Sequence, residues 1–92
     1  MAGLPFLGVG IAGSAYPGVR IQNVVPNSPA ARAGLRANDI ILKINKHNVK
    51  DDNDFSMYLK SRFFPGNTIT LLVKRNQNTF SVSAQLTDFK SQ

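Results

Sequence analysis

Near the start of the chain, glycines fall at a spacing that can serve a cofactor. Gly8-Val9-Gly10-Ile11-Ala12-Gly13 reads G-x-G-x-x-G, the turn that lets backbone amides and a helix N-terminus approach a pyrophosphate. That use depends on a helix beginning at the glycines. Pro17-Gly18 comes too soon to allow one. The first acidic residue after the glycines is Asp39, too far along to hold a ribose. With 92 residues there is also no room for a doubly wound sheet. No dinucleotide, and no other cofactor, is expected.

Catalysis is as poorly supplied. There is no cysteine, so a thiol nucleophile and a cysteine zinc site are excluded. One histidine, His47, leaves little for a metal cluster or a Ser-His pair. Asp51, Asp52 and Asp54 stand together just before a helical pattern, where carboxylates cap amides and complement the dipole. The central glycine and terminal glutamate of a calcium loop are absent. The chain itself is expected to be no enzyme.

One use of the glycines survives. In Phe6-Leu7-Gly8-Val9-Gly10-Ile11, glycine between apolar residues lets successive amides turn into one hollow, a nest suited to a carboxylate. By alternation Leu7, Val9 and Ile11 share a face and can floor an apolar pocket beneath it.

The elements that must position this nest read clearly. Phe6 to Ile11 and Val19 to Val25 are strand patterns, with a turn cluster at Ser14, Tyr16, Pro17 and Gly18 between them. Ser28-Pro29 begins a short helix, cap followed by proline, and Gly34 stops it. Asp39 to Ile44 is a β-branched strand, and Val49 anchors a very short one. Phe55, Leu59 and Phe63 recur every four residues, the core stripe of a second helix ended by Pro65-Gly66. Thr68 to Val73 and Thr79 to Leu86 are strands around an Asn76-Gln77-Asn78 turn. This order predicts an α+β, mainly β domain, a partial barrel or sandwich of five to six strands with two helices. Its expected extent is 6–87, between tails 1–5 and 88–92.

Charge narrows the partners. The balance of +6 favours acidic ligands in general. The positives are scattered, and the densest group, Lys43 to Lys50, has no aromatic to stack a base. A solvated basic surface is the expectation, with no specific nucleic acid as partner. No apolar stretch is long enough to insert in a membrane. Met1 to Ile11 lacks the basic leader of a signal peptide.

Three segments resemble the PDZ domain. They are Gly18 to Val24, then Pro26-Asn27-Ser28-Pro29-Ala30-Ala31-Arg32-Ala33-Gly34-Leu35, then Asn38-Asp39-Ile40-Ile41-Leu42-Lys43-Ile44-Asn45. The resemblance runs from Phe6 to about Leu86. It is greatest to the PDZ domains of HtrA/Deg-type serine proteases and related bacterial envelope proteins. In that permuted arrangement Thr79–Leu86 fills the place of the leading strand. Asn38 stands where the family has glycine, a position asparagine tolerates, and Lys46 replaces the glycine of an Asn-Gly turn, where it fits less well.

The resemblance implies capture of C-terminal or extended peptide segments by strand addition along Val9–Ala12. It places the carboxylate on the amides of Leu7, Gly8 and Val9, and Gly10 within the receiving strand. Leu7, Val9 and Ile11, with Tyr58, would shape the last side chain's pocket, and Asp54 and Arg62 would read residues upstream. The implied partners are such peptides and an attached protease domain, in the periplasm or cell envelope. A scaffold role in an assembly is the alternative.

Overall fold

Alternating β-branched and apolar residues build the centre of the molecule, which a computed structural model describes over residues 3–14 and 17–88. In chain order the elements are β1 (Pro5–Phe6), β2 (Val9–Ser14), β3 (Val19–Val24), α1 (Pro29–Arg32), β4 (Ile40–Ile44), β5 (His47–Asn48), α2 (Asp52–Arg62), β6 (Thr68–Arg75), β7 (Asn78–Gln85) and β8 (Thr87–Asp88). Five longer strands form one antiparallel sheet in the order β2-β3-β4-β6-β7, with β5 folded back onto β4. β1 and β8 pair separately. The C-terminal strand β7 thus flanks β6 along its whole length, from Thr68↔Gln85 to Arg75↔Asn78. The fold is the mainly β one with two helices that the residue pattern predicts.

Both helices start where their caps dictate. Ser28, fully buried, accepts from Ala31 N–H at 3.2 Å, and Pro29 occupies the first turn. Gly34 ends that helix with φ +87°. Asp51 accepts from Asp54 N–H at 2.8 Å and opens α2. Phe63 is already extended, as fits a chain approaching Pro65. Phe55 and Leu59 are therefore the stripe residues that α2 buries, and Phe63 is half-buried beyond its end. They close over the sheet residues Val19, Ile21, Ile41, Ile44, Ile69 and Leu71, all fully buried.

Three features differ from expectation. The strand pattern Phe6–Ile11 is interrupted, because Gly8 takes φ +94° and splits it into β1 and β2. Pro5 and Asp88 lie inside the β1–β8 ladder, one residue beyond each expected boundary, because the two chain ends hydrogen-bond to each other. Lys46 is under no turn strain. Asn45 takes the left-handed position (φ +53°) and its side chain accepts from Thr70 N–H at 2.9 Å. Asn38, by contrast, meets expectation, with φ +76° at the place of a glycine. The turn expected over Ser14–Gly18 includes residues 15 and 16, outside the described residues, as are 1–2 and 89–92 of the expected tails.

Asp39 does more than start a strand. It is 1% exposed, and Arg75 reaches it with two hydrogen bonds, at 2.7 and 2.8 Å. A third comes from Arg36 N–H at 2.9 Å. Burial alone pushes the Asp39 carboxyl up. The bonds from Arg75 and Arg36, with their charges, outweigh that and hold it below its ordinary value. Arg75 also donates to the Gly34 carbonyl at 2.9 Å, which ties the end of α1 to β6.

Candidate functional site

A cleft of about 280 Å³ opens between β2 and α2. One wall is the segment Leu4 to Gly8 with Val9 and Ile11 of β2, and the other is Phe55, Ser56, Leu59 and Lys60 of α2. β2 is the last strand of its sheet, so among the described residues one of its edges carries no ladder. The cleft runs alongside this terminal strand.

The loop at the head of the cleft is held by its carbonyls. Leu7 C=O accepts from Ala30 N–H and Gly8 C=O from Val25 N–H, both at 2.8 Å. In a planar trans peptide, N–H points opposite to the C=O of the same unit. Gly8 N–H therefore points away from α1, and Val9 N–H points away from β3. The bond from Val25 also makes Val9↔Val24 a non-hydrogen-bonded pair, which turns both backbone groups of Val9 to the free edge. Two successive donors are thus presented outward by a loop anchored from behind. Such a hollow suits an oxyanion.

Only glycine fits at position 8. Besides its positive φ, a Cβ there would run into the Cβ and Oγ of Ser28, the buried cap of α1. The helix cap and the loop are packed as one unit. This is why a cap in one element matters to a site in another.

Of the residues singled out from the pattern, Leu7, Gly8, Val9 and Ile11 line the cleft. Leu7 is buried beneath it, and Val9 and Ile11 are half-buried. Gly10 belongs to β2 but faces Asn23 of β3, whose side chain a Cβ would strike. Asp54, Tyr58 and Arg62 are not brought to the cleft. They share the opposite flank of α2, facing the β4–β5 turn. Both Asp54 carboxylate oxygens lie against His47 Nε2, at 2.9 and 3.0 Å. Tyr58 stacks flat on His47, with centroids 3.9 Å apart and 6° between planes, and Arg62 covers the Tyr58 ring at 5.3 Å. Lys50 N–H, and then His47, hold the Asp54 carboxyl below its ordinary value against the opposing effect of burial.

The physical reason is helical phase. Residues 54, 58 and 62 precede the buried stripe by one position, whereas Ser56 and Lys60 follow it, so the two flanks lie about 100° to either side of the stripe. Asp54, Tyr58 and Arg62, expected at the site, thus lie on the flank that seats His47, while Ser56 and Lys60 line the cleft unforeseen. What chooses between the flanks lies outside α2, in the half-buried His47 of β5 that Asp54 and Tyr58 engage. The three aspartates at the start of α2 are accounted for in part by these bonds. Asp51 caps the helix, and Asp54 holds His47 and Lys50.

The family described as PDZ domain matches residues 5–86. Probable protease eep of Enterococcus faecalis is 40% identical over 57 residues, which are 62% of this chain and 13% of that protein. Serine protease Do-like HtrB of Bacillus subtilis is 34% identical over 70 residues, 76% of this chain and 15% of the relative. Among solved structures, "HtrA-type protease AlgW with decapeptide" superposes with a TM-score of 0.81 at 28% identity, over 92% of this chain and 29% of that one. The chain thus spans only about a seventh of the length of these two relatives.

Proposed function

The chain belongs to the PDZ family, and from that premise we propose that it binds the free C-terminal segment of other proteins by strand addition. The guest adds antiparallel to the free edge of β2 and is walled on its other side by α2. Its carboxylate sits on the outward amides of Gly8 and Val9, with Leu7 N–H beside them. Its last side chain enters the apolar part of the cleft, between Leu7, Val9 and Ile11 and the α2 residues Phe55 and Leu59. The observation that carries this reading is the loop itself, whose carbonyls are bonded backward while its donors face the cleft. The domain then serves as the substrate-recognition or regulatory part of a larger protease, and performs no catalysis itself. That a solved relative is described with a decapeptide supports the same reading.

Peptides selected from a displayed C-terminal library test it directly by calorimetry, each measured as free acid and as amide. Hydrogen bonds to a charged group contribute roughly 1.5–3 kcal/mol each, and 1.4 kcal/mol is about tenfold in affinity. The amide should bind at least about tenfold more weakly. Equal binding of the two forms refutes carboxylate capture.

A further inference from the structure

Side chains of an added strand alternate, so a peptide on β2 turns its last residue and the one two positions earlier toward α2, and the residue between them away. The last residue meets apolar walls. The earlier one meets α2 at the rim, where the cleft offers just two polar side chains, Ser56 and Lys60, one helical turn apart. Lys60 is exposed and is the one charged residue among those lining the cleft. No ion pair engages it among the described residues, whose salt bridges are His47–Asp54 and Arg75–Asp39. A lysine on such a wall lays its methylene stem over apolar surface and keeps its ammonium at the mouth. The terminal carboxylate is already served by the loop amides. Asp54 and Arg62, on the other flank, are engaged by His47 and Tyr58.

Resting on the strand-addition reading above, we propose that Lys60 is a specificity residue: its ammonium, beside Ser56, selects Asp or Glu two positions before the peptide's free C-terminus. The net charge of +6 adds a general pull in the same direction. The local pairing, unlike that general pull, is confined to one peptide position.

Display of a randomised C-terminal heptamer library on wild type and on Lys60→Met, a change at an exposed helix position, tests this. Wild type should enrich an apolar last residue with Asp or Glu two positions before it. Lys60→Met should keep the apolar end and lose the acidic preference. Calorimetry on one selected sequence, with Glu or Gln at that position, should give roughly a 2- to 5-fold preference for Glu in wild type and none in the variant. The acid-over-amide ratio should be the same in both proteins. A Glu preference that survives Lys60→Met, or none in wild type, overturns the assignment while leaving strand addition intact. A variant that loses acid-over-amide discrimination instead places Lys60 on the terminal carboxylate and also overturns it. No enrichment of free apolar C-termini on either protein removes the underlying reading as well.

Discussion

Alanine at two glycines of equal backbone conformation separates the cost of a dihedral from the cost of a collision. Gly8 and Gly34 have φ +94° and +87°. At Gly34 an added Cβ has open space, with nothing within 4 Å, so Gly34→Ala bears the left-handed backbone penalty alone, about 1–2 kcal/mol. At Gly8 the Cβ meets the Cβ and Oγ of fully buried Ser28. Either the loop or the cap must shift. Loss of a serine cap costs about 1 kcal/mol, so Gly8→Ala should cost about 2–3 kcal/mol in all. Urea unfolding followed by circular dichroism should show its midpoint falling about twice as far as that of Gly34→Ala. A selected free-acid peptide should bind Gly8→Ala at least about tenfold more weakly, the loss of one charged hydrogen bond, and bind Gly34→Ala about as wild type does. Equal losses of stability in the two variants would refute the packing of loop against cap, and undiminished binding to Gly8→Ala would refute the role of the loop amides.

Arg75→Met leaves the Asp39 carboxylate buried with one backbone donor, and should cost about 3 kcal/mol at neutral pH by urea unfolding, more than Asp39→Asn, whose orphaned arginine reaches solvent. Because the folded carboxyl of Asp39 lies below its ordinary value of 3.8, its stabilisation is present above that value and is lost as pH falls through the folded pKa. The gap between wild type and Arg75→Met should therefore close on acidification below about pH 4; a gap independent of pH would count against the ion pair. Asp54→Asn should cost about 1 kcal/mol at neutral pH, since the lost charge is partly exposed. Its folded pKa is also lowered, so that difference too should vanish in urea titrations as pH falls below about 4, and its persistence there would exclude a charge effect.

Local signals read well from the residues, and signals that join distant segments did not. Ser28-Pro29 and Gly34 bound α1 because caps act within one turn. Leu7, Val9 and Ile11 reach one cleft even though Gly8 breaks the strand between them. The side of α2 that faces β2 was not legible, since both flanks of the Phe55–Leu59 stripe carry polar and bulky residues. Choosing between them requires the position of β5, whose His47 claims Asp54 and Tyr58. The Asp39–Arg75 pair was equally hidden, because 36 residues separate partners that only the β4–β6 ladder brings together. Proximity in space, set by sheet order, decides both.

The irregularities of β2 also set a ruler. Against β3, Gly10 pairs with Asn23 and Ile11 with Ile21, while Ser14 pairs with Val19. Three steps along β2 between Ile11 and Ser14 thus match two along β3, so the spare residue lies at Ala12 or Gly13. Between Gly10 and Ile11 one step along β2 already matches two along β3, so the pairing is even only from Val9 to Gly10. Two irregularities so close together twist a strand locally, and its edge offers no long regular ladder. The same twist makes β2 a poor template for another copy of itself, because an edge that cannot hold a long flat ladder does not seed stacking of one sheet on the next. An edge open to short chain ends is in this way closed to long strands.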